Sequence, residues 1–259
     1  MTERIRLLES LAFDAWPAED VVDLGGWRLR FNRGLTHRAN SVWPNAWHGD
    51  DALSDRLDRV EAMYAERGLP ALFQVTPAAL PQGLDATLAN RDYVGHLPTE
   101  VWTAPLARCA LTAAPPGIEV LAYPDVEPAW WSLNGERGRF RKDELPLYLR
   151  LLERLRGRAC FVLASLDGEL GATGIGVVGA DRVGIFSMRT LEGLRGRGLA
   201  RAVLGGIARF AAERSATELY LQVERDNQPA RALYAKAGFD VAYAYHYRER
   251  AAVPDARST

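Results

Sequence analysis

Cysteine is scarce in this 259-residue chain: Cys109 and Cys160 lie far apart and make no CxxC pair. No disulfide framework is available, and a reduced, cytoplasmic setting is expected. The four histidines, His37, His48, His96 and His246, show no metal-ligand spacing, so no metal site is expected. Long apolar runs are missing as well. None reaches the ~18 residues that span a bilayer, and the opening "MTERIRLLES" is charged and amphipathic, without the apolar centre of a signal peptide. An excess of one charge is also absent. The 32 basic and 33 acidic side chains leave a net charge of −1 and are spread along the chain, whereas a nucleic-acid groove needs a clustered positive field. What is present is 48% hydrophobic and 25% charged residues, the make-up of a globular protein able to bury a core, as one large domain or two smaller ones.

The stretch "TAPLARCALTAAPPGIEV" is rich in small residues and proline and reads as a junction. It divides the chain into an N-terminal half at 1–105, a linker at 106–117, a C-terminal half at 118–250 and a tail at 251–259. In the first half the patterning predicts helices near 3–15, 51–67 and 81–91. Strands are predicted near 26–31, 39–43, 71–75 and 93–104. In the second half it predicts helices near 125–135, 143–156, 197–214 and 228–237. The strands there fall at 118–122, 159–166, 169–178, 182–190, 218–224 and 239–248. The halves echo each other. "LFQVTPAALPQGLDATLANRDY" and "YLQVERDNQPARALYAKAGF" each run from a strand ending in Gln-Val through a Pro-containing bend and a short helix to an aromatic residue, with Asp92-Tyr93 where Gly238-Phe239 stands. Self-similarity on this scale suggests one supersecondary unit used twice.

Glycines at the mouth of a helix pose the functional question. In "RTLEGLRGRGLARAVLGGIARFA" they follow a strand and precede an apolar stripe of Leu199, Val203, Ile207 and Phe210. Leu199-Ala200 stand where a Walker A loop needs Lys-Ser/Thr, which excludes that motif. A formal GxGxxG at Gly174, Gly176 and Gly179 is followed by another strand rather than a helix, so it reads as close packing in a hairpin. The loop at 195–200 has the strand–loop–helix context that suits an anion. The first turn of a helix presents free amides and the positive end of the dipole. Gly196 and Gly198 would let phosphate oxygens reach those amides, with Arg195 and Arg197 beside them. The plainer alternative is a glycine turn with solvated arginines.

"RGRGLA" after a strand, followed by Asn227, Ala230, Leu233, Tyr234, Lys236, Gly238 and Phe239 in "NQPARALYAKAGF", resembles the two signatures of the GNAT superfamily, the Gcn5-related N-acetyltransferases. The likeness firmly covers about 118–248. "GGWRLRFNRGLTHRANSVWP" is similar to two-domain bacterial members, in which the first half is a worn copy of the second. The resemblance implies an α+β fold of two tandem GNAT-like halves, each a mixed, mostly antiparallel sheet flanked by helices. It implies transfer of acetyl from acetyl-CoA to an amine at a single site in the C-terminal half. Met188 and Thr190 would bond pantetheine through their main chains. Arg195, Gly196, Arg197, Gly198, Leu199 and Ala200 would hold the pyrophosphate, and Asn227 the pantetheine amides.

Tyr234 would be the general acid for the departing thiolate, since a phenol stays protonated at neutral pH. Its place on an apolar helix face also suits a core tyrosine. Glu136, Glu192 and Glu224 offer carboxylates, and none is singled out as the base. The segment 125–149 would meet the acceptor, with Trp130, Trp131 and Phe140 as walls and Glu136 drawing an ammonium; the plainer alternative packs the tryptophans on the sheet. Arg38, Asn40, Ser41 and Trp43 face either an acceptor or the first sheet. An acidic helix start after Gly49 would repel phosphate, so no acetyl-CoA is expected in the first half. Other readings are an acetyl-CoA-binding sensor or scaffold without turnover, and an acyltransferase with a different acyl donor. The acceptor is expected to be a small molecule or peptide amine, with no nucleic acid, membrane or metal involved, and the chain to be a monomer or homodimer.

Overall fold

The computed structural model of the chain describes residues 1–109 and 114–250. Residues 110–113 of the expected linker, and the tail at 251–259, lie outside that range. Two compact units emerge. Of the described residues, the first comprises 1–9, 16–99 and 244–250; the second comprises 10–15, 100–109 and 114–243.

In the first unit, β1 (Asp20–Leu24) and β2 (Trp27–Phe31) form an antiparallel hairpin, and β2 pairs antiparallel with β3 (Val42–Trp43). β3 runs parallel to β4 (Ala71–Val75) through Val42 and Phe73. β4 in turn pairs antiparallel with the end of the last strand, β11 (Asp240–Arg250), where His246 faces Val75. Helices α2 (Leu53–Ala65) and α3 (Leu84–Asn90) lay Leu57, Val60, Tyr64, Leu84 and Leu88 into one core with Trp27, Leu29 and Phe73. The hairpin partner β1 was not predicted: "DVVDL" is exposed or half-buried along its length, and its apolar residues Val21, Val22 and Leu24 do not alternate. Asn40 and Ser41 serve the first sheet. Asn40 Oδ1 accepts from the amides of Asn32 and Gly34, at 2.7 and 2.9 Å. Buried Arg30 donates to Ser41 Oγ and to Gln74 Oε1, both at 2.7 Å, and Gln74 Nε2 donates to Glu9 of helix α1 (Thr2–Ala15).

In the second unit, the strand order is β10 (Glu218–Glu224), β9 (Arg182–Thr190), β8 (Glu169–Gly179), β7 (Ala159–Leu166) and β6 (Ile118–Tyr123). β9 and β10 are parallel and the other pairs antiparallel. β5 (Val94–Pro105) contributes residues 94–99 to the first unit and 100–105 to the second. Helix α6 (Leu199–Glu213) covers β6 to β9, with Leu199, Val203, Ile207 and Phe210 all buried. Its approach is close. A Cβ on Gly174 would meet Val203 at 2.8 Å, one on Gly176 would meet Ile207 at 2.8 Å, and one on Gly206 would meet Val162 at 2.7 Å. The formal GxGxxG is therefore a packing surface, and Gly206 inside α6 has the same cause. The helix predicted near 125–135 is divided into α4 (Pro128–Trp131) and a π-helical turn at Ser132–Glu136, followed by α5 (Leu145–Glu153).

The echo seen in sequence is a repeated strand–helix–strand–helix–strand pattern. It runs β3-α2-β4-α3-β5 in the first copy and β9-α6-β10-α7-β11 in the second, where α7 is Gln228–Lys236. The two short helices end alike. Asp92 (φ 64°) and Gly238 (φ 93°) both take the left-handed conformation. The amide of Tyr93 then bonds Leu88 O at 3.0 Å, and that of Phe239 bonds Tyr234 O at 3.1 Å. Each is the 6→1 bond of a Schellman cap.

Candidate active site

The parallel strands β9 and β10 are paired only from Arg182 to Ile185 and from Glu218 to Leu221. Both continue, β9 to Thr190 and β10 to Glu224, so the ladder opens at its C-terminal end. In an α/β arrangement this is where a ligand finds main-chain groups without strand partners. The opening has a local cause. Between Thr173 and Ile175 the β8–β9 register slips, so that Ser187 and Met188 stand opposite the single residue Gly174. Ser187 sits at φ 49°. Such a bulge bends the strand and leaves the extra residue unpaired. Met188 and Thr190, the pair expected to meet pantetheine, lie on this bent segment and are half-buried.

A buried network fixes the bulge. Asn134 Nδ2, from the π-helical turn, donates to Ser187 O at 2.7 Å and to Thr173 Oγ1 at 2.8 Å. Its Oδ1 accepts from the Tyr148 hydroxyl at 3.0 Å, and that hydroxyl also meets Ser187 Oγ at 3.1 Å. Trp130 Nε1 donates to Gly174 O at 3.3 Å. Burial pushes the Tyr148 phenol up to about 12, which keeps it a donor at neutral pH. Sequence reading missed Asn134, Tyr148, Thr173 and Ser187, because no local motif links residues so far apart in the chain. The π-helical turn that aims Asn134 leaves no sequence pattern either, although such turns recur at functional sites.

At the open end of β9 the chain makes a short 3₁₀ turn at Glu192–Leu194 and then enters the loop. Gly196 (φ 76°) and Gly198 (φ 91°) are both left-handed. A Cβ at Gly196 would meet nothing within 4 Å, whereas one at Gly198 would approach Pro115 at 3.3 Å. Arg195, Gly196 and Arg197 are exposed. Gly198 is the N-cap of α6, and no side chain caps the helix. The Arg195 amide donates to Glu192 O at 3.2 Å. Among the described residues, the loop amides of Gly196, Arg197 and Gly198 make no backbone hydrogen bond. The cradle of available donors thus runs from Gly196 into the first turn at Leu199 and Ala200.

Asn227 caps α7, its Oδ1 accepting from the Ala230 amide at 3.3 Å while the residue stays exposed. Tyr234 lies two turns on, 6% exposed, in one apolar cluster with Leu194, Leu199, Val223 and Phe239. Burial pushes its phenol up to about 12. Among the described residues that hydroxyl has no hydrogen-bond partner. Arg231, on the same helix, donates to the buried carboxylate of Glu100 at 3.0 Å, and Trp102 Nε1 donates there also at 3.0 Å.

The expected acceptor residues divide. Trp130 is fully buried and belongs to the core. Trp131 and Phe140 are half-buried and flank Tyr148, with ring centroids at 5.8 and 4.3 Å. Glu136 is exposed, as are Glu192 and Glu224.

Known proteins share this architecture. A GCN5-related N-acetyltransferase from Kribbella flavida matches with a TM-score of 0.72 at 14% identity, over 94% of each chain. A tandem GNAT protein from the clavulanic acid biosynthesis pathway matches with a TM-score of 0.65 at 15% identity, over 96% of this chain and 88% of its own. The fold is that of the GNAT superfamily, and the protein is an acyltransferase of that class. The model of the family described as "Probable histone acetyltransferase Rv0428c C-terminal" matches residues 2–250, and the chain belongs to that family. The N-acetyltransferase YobR of Bacillus subtilis, itself uncharacterised, is 30% identical over 94% of this chain and 98% of its own length. A probable histone acetyltransferase of Mycobacterium tuberculosis, Rv0428c, is 28% identical over 86% of this chain and 67% of its own. Among the described residues no helix is long and apolar enough to cross a membrane.

Proposed function

We propose that the chain transfers an acetyl group from acetyl-CoA to an amine by direct attack, at one site in the C-terminal half. The observation that carries this reading is the run of unbonded amides from Gly196 into the first turn of α6, beside the opened edge of β9. A pyrophosphate fits such a cradle: the helix mouth supplies N–H donors and a positive dipole end, and open space lies where a Cβ of Gly196 would stand. Arg195 and Arg197, both exposed, supply charge to the same anion. Acetyl-CoA brings an activated thioester, which needs a polarised carbonyl and a proton for its thiolate.

The residues of the chain divide that work. Met188 and Thr190 offer main-chain groups along the strand edge. Asn227 keeps its Nδ2 for the pantetheine amides while its Oδ1 caps α7. Tyr234 holds a proton on an unpartnered hydroxyl, and burial keeps it there at neutral pH. The half-buried rings of Trp131 and Phe140 flank the approach of the acceptor, whose amine reaches the site neutral after losing its proton to water or to a surface carboxylate.

Calorimetric titration with acetyl-CoA tests the reading. One equivalent per chain is expected. Gly198→Asp places a carboxylate in the cradle, at a φ of 91° that strains any side chain, and should abolish binding. Two equivalents, or an unchanged affinity in the variant, would overturn the proposal.

A further inference from the structure

Away from the cradle, the first unit brings together two of the four histidines. His37 precedes the 3₁₀ turn at Arg38–Asn40, His96 lies on β5, and Glu249 lies near the end of β11. Their spacing in sequence, 37, 96 and 249, shows nothing of this. In space, one ligand atom from each lies within 4.8 Å of the others. His96 Nε2 and Glu249 Oε2 are 3.0 Å apart. Yet His96 Nε2 is shielded from solvent and makes no hydrogen bond among the described residues, so the two atoms are close without the alignment of a donor and its acceptor. The imidazole of His37 stands edge-on to that of His96, with ring centroids at 5.3 Å, and Tyr247 packs against both at 5.6 and 6.1 Å.

We propose that His37, His96 and Glu249 bind one divalent transition-metal ion of the zinc class. Two imidazoles and a carboxylate suit such an ion, whereas magnesium and calcium prefer oxygen ligands throughout. With metal–ligand bonds of about 2.1 Å, neighbouring ligands lie about 3.4 Å apart in the tetrahedral shell usual for zinc and about 3.0 Å apart in an octahedral one. The 3.0 Å between His96 Nε2 and Glu249 Oε2 falls at the short end of that range, and a bound ion accounts for a buried imidazole nitrogen that makes no hydrogen bond among the described residues. Water completes the coordination on the side of exposed His37. The ion ties the 3₁₀ turn to β5 and β11, so its role is to clip three segments of the first unit together.

The test uses the full, untagged chain, stripped of metal with a chelator. Zinc affinity is read by competition with a chromophoric chelator, and coordination by the visible absorption of added cobalt(II). One equivalent is expected, together with a rise in melting temperature on adding zinc. His96→Ala and Glu249→Gln should each weaken zinc by on the order of tenfold or more and lose the thermal shift, while His48→Ala leaves both unchanged. If His96→Ala fails to fold, His37→Gln at the exposed position gives the same reading. Equal affinity in the wild type and these variants, or no cobalt spectrum at millimolar metal, would overturn the proposal.

Discussion

Replacing Tyr234 with phenylalanine removes one oxygen and leaves the ring in its cluster with Leu199 and Phe239. The hydroxyl has no protein partner among the described residues, so its loss orphans no buried group, and stability should change by no more than about 1 kcal/mol. Catalysis should respond very differently. Loss of a general acid costs about 10²- to 10⁴-fold in rate, or about 3–5 kcal/mol of barrier. The bond to the departing sulfur forms only as charge develops, so kcat should fall while acetyl-CoA affinity stays within about twofold. The pH profile separates this role from others. Burial raises the phenol to about 12, so the acid stays protonated well past neutrality, and in the wild type no descending limb from this group should appear below about pH 10. Single-turnover release of free thiol, with titration of acetyl-CoA and a melting curve for each protein, provides the measurements. A variant within about threefold of wild type in single turnover would assign the proton to water or another side chain. A variant that binds acetyl-CoA weakly would make Tyr234 an anchor.

Asn134→Ala should strip partners from Ser187 O, Thr173 Oγ1 and the Tyr148 hydroxyl. It should cost about 2–3 kcal/mol, lower the melting temperature by roughly 5–10 °C, and raise KM for acetyl-CoA as the β9 bulge loosens; an unchanged melting curve would show that the network does not hold the bulge. Gly206→Ala sets two effects against each other: helix propensity favours alanine by about 1 kcal/mol, but the new Cβ would stand 2.7 Å from Val162 Cγ1 and 3.1 Å from Val120 Cγ1. Overpacking of that kind costs about 1–3 kcal/mol, so denaturant unfolding should show net loss, and a gain in stability would mean that α6 can lift without penalty.

Much of the architecture was legible because the sequence is locally consistent. The β7 and β10 segments, 159–166 and 218–224, were read to the residue, since their apolar runs are bounded by turn residues. The end of α7 was legible through Lys236 and Gly238, and its start through Asn227. The site was legible only where it is local. A glycine cradle at a helix mouth leaves a contiguous signature. The bulge at Ser187 does not, because it depends on Asn134 donating across more than 50 positions. Trp130 illustrates the other limit: pattern alone cannot say whether a tryptophan lines a pocket or fills a core, and here its ring is fully buried against Phe161. The edge strand β1 went unseen because the adjacent Val21 and Val22 break the alternation by which a half-buried strand is read.

The two copies of the strand–helix–strand–helix–strand pattern differ at the points where the proposed chemistry needs particular atoms. In the second copy the mouth of α6 is open. In the first, the entry to α2 is filled from within. Asp51 stands there in an ion pair with Arg56, whose guanidinium also donates to Gly25 O at 2.8 Å and to His48 O, and lies 3.6 Å over the ring of Trp47. An arginine held this tightly, with a carboxylate beside it, occupies the volume and charge that a phosphate would need. The caps of α3 and α7 bring the second difference into register. The bond from Tyr93 N to Leu88 O matches that from Phe239 N to Tyr234 O, so Leu88, fully buried, stands where the second copy has its phenol. The first copy thus keeps the fold-defining turn and lacks both the anion cradle and the acid. On the proposed mechanism the groups for acyl transfer stand in only the second of the two GNAT-like halves, which is why a single equivalent of acetyl-CoA is the sharper expectation than two.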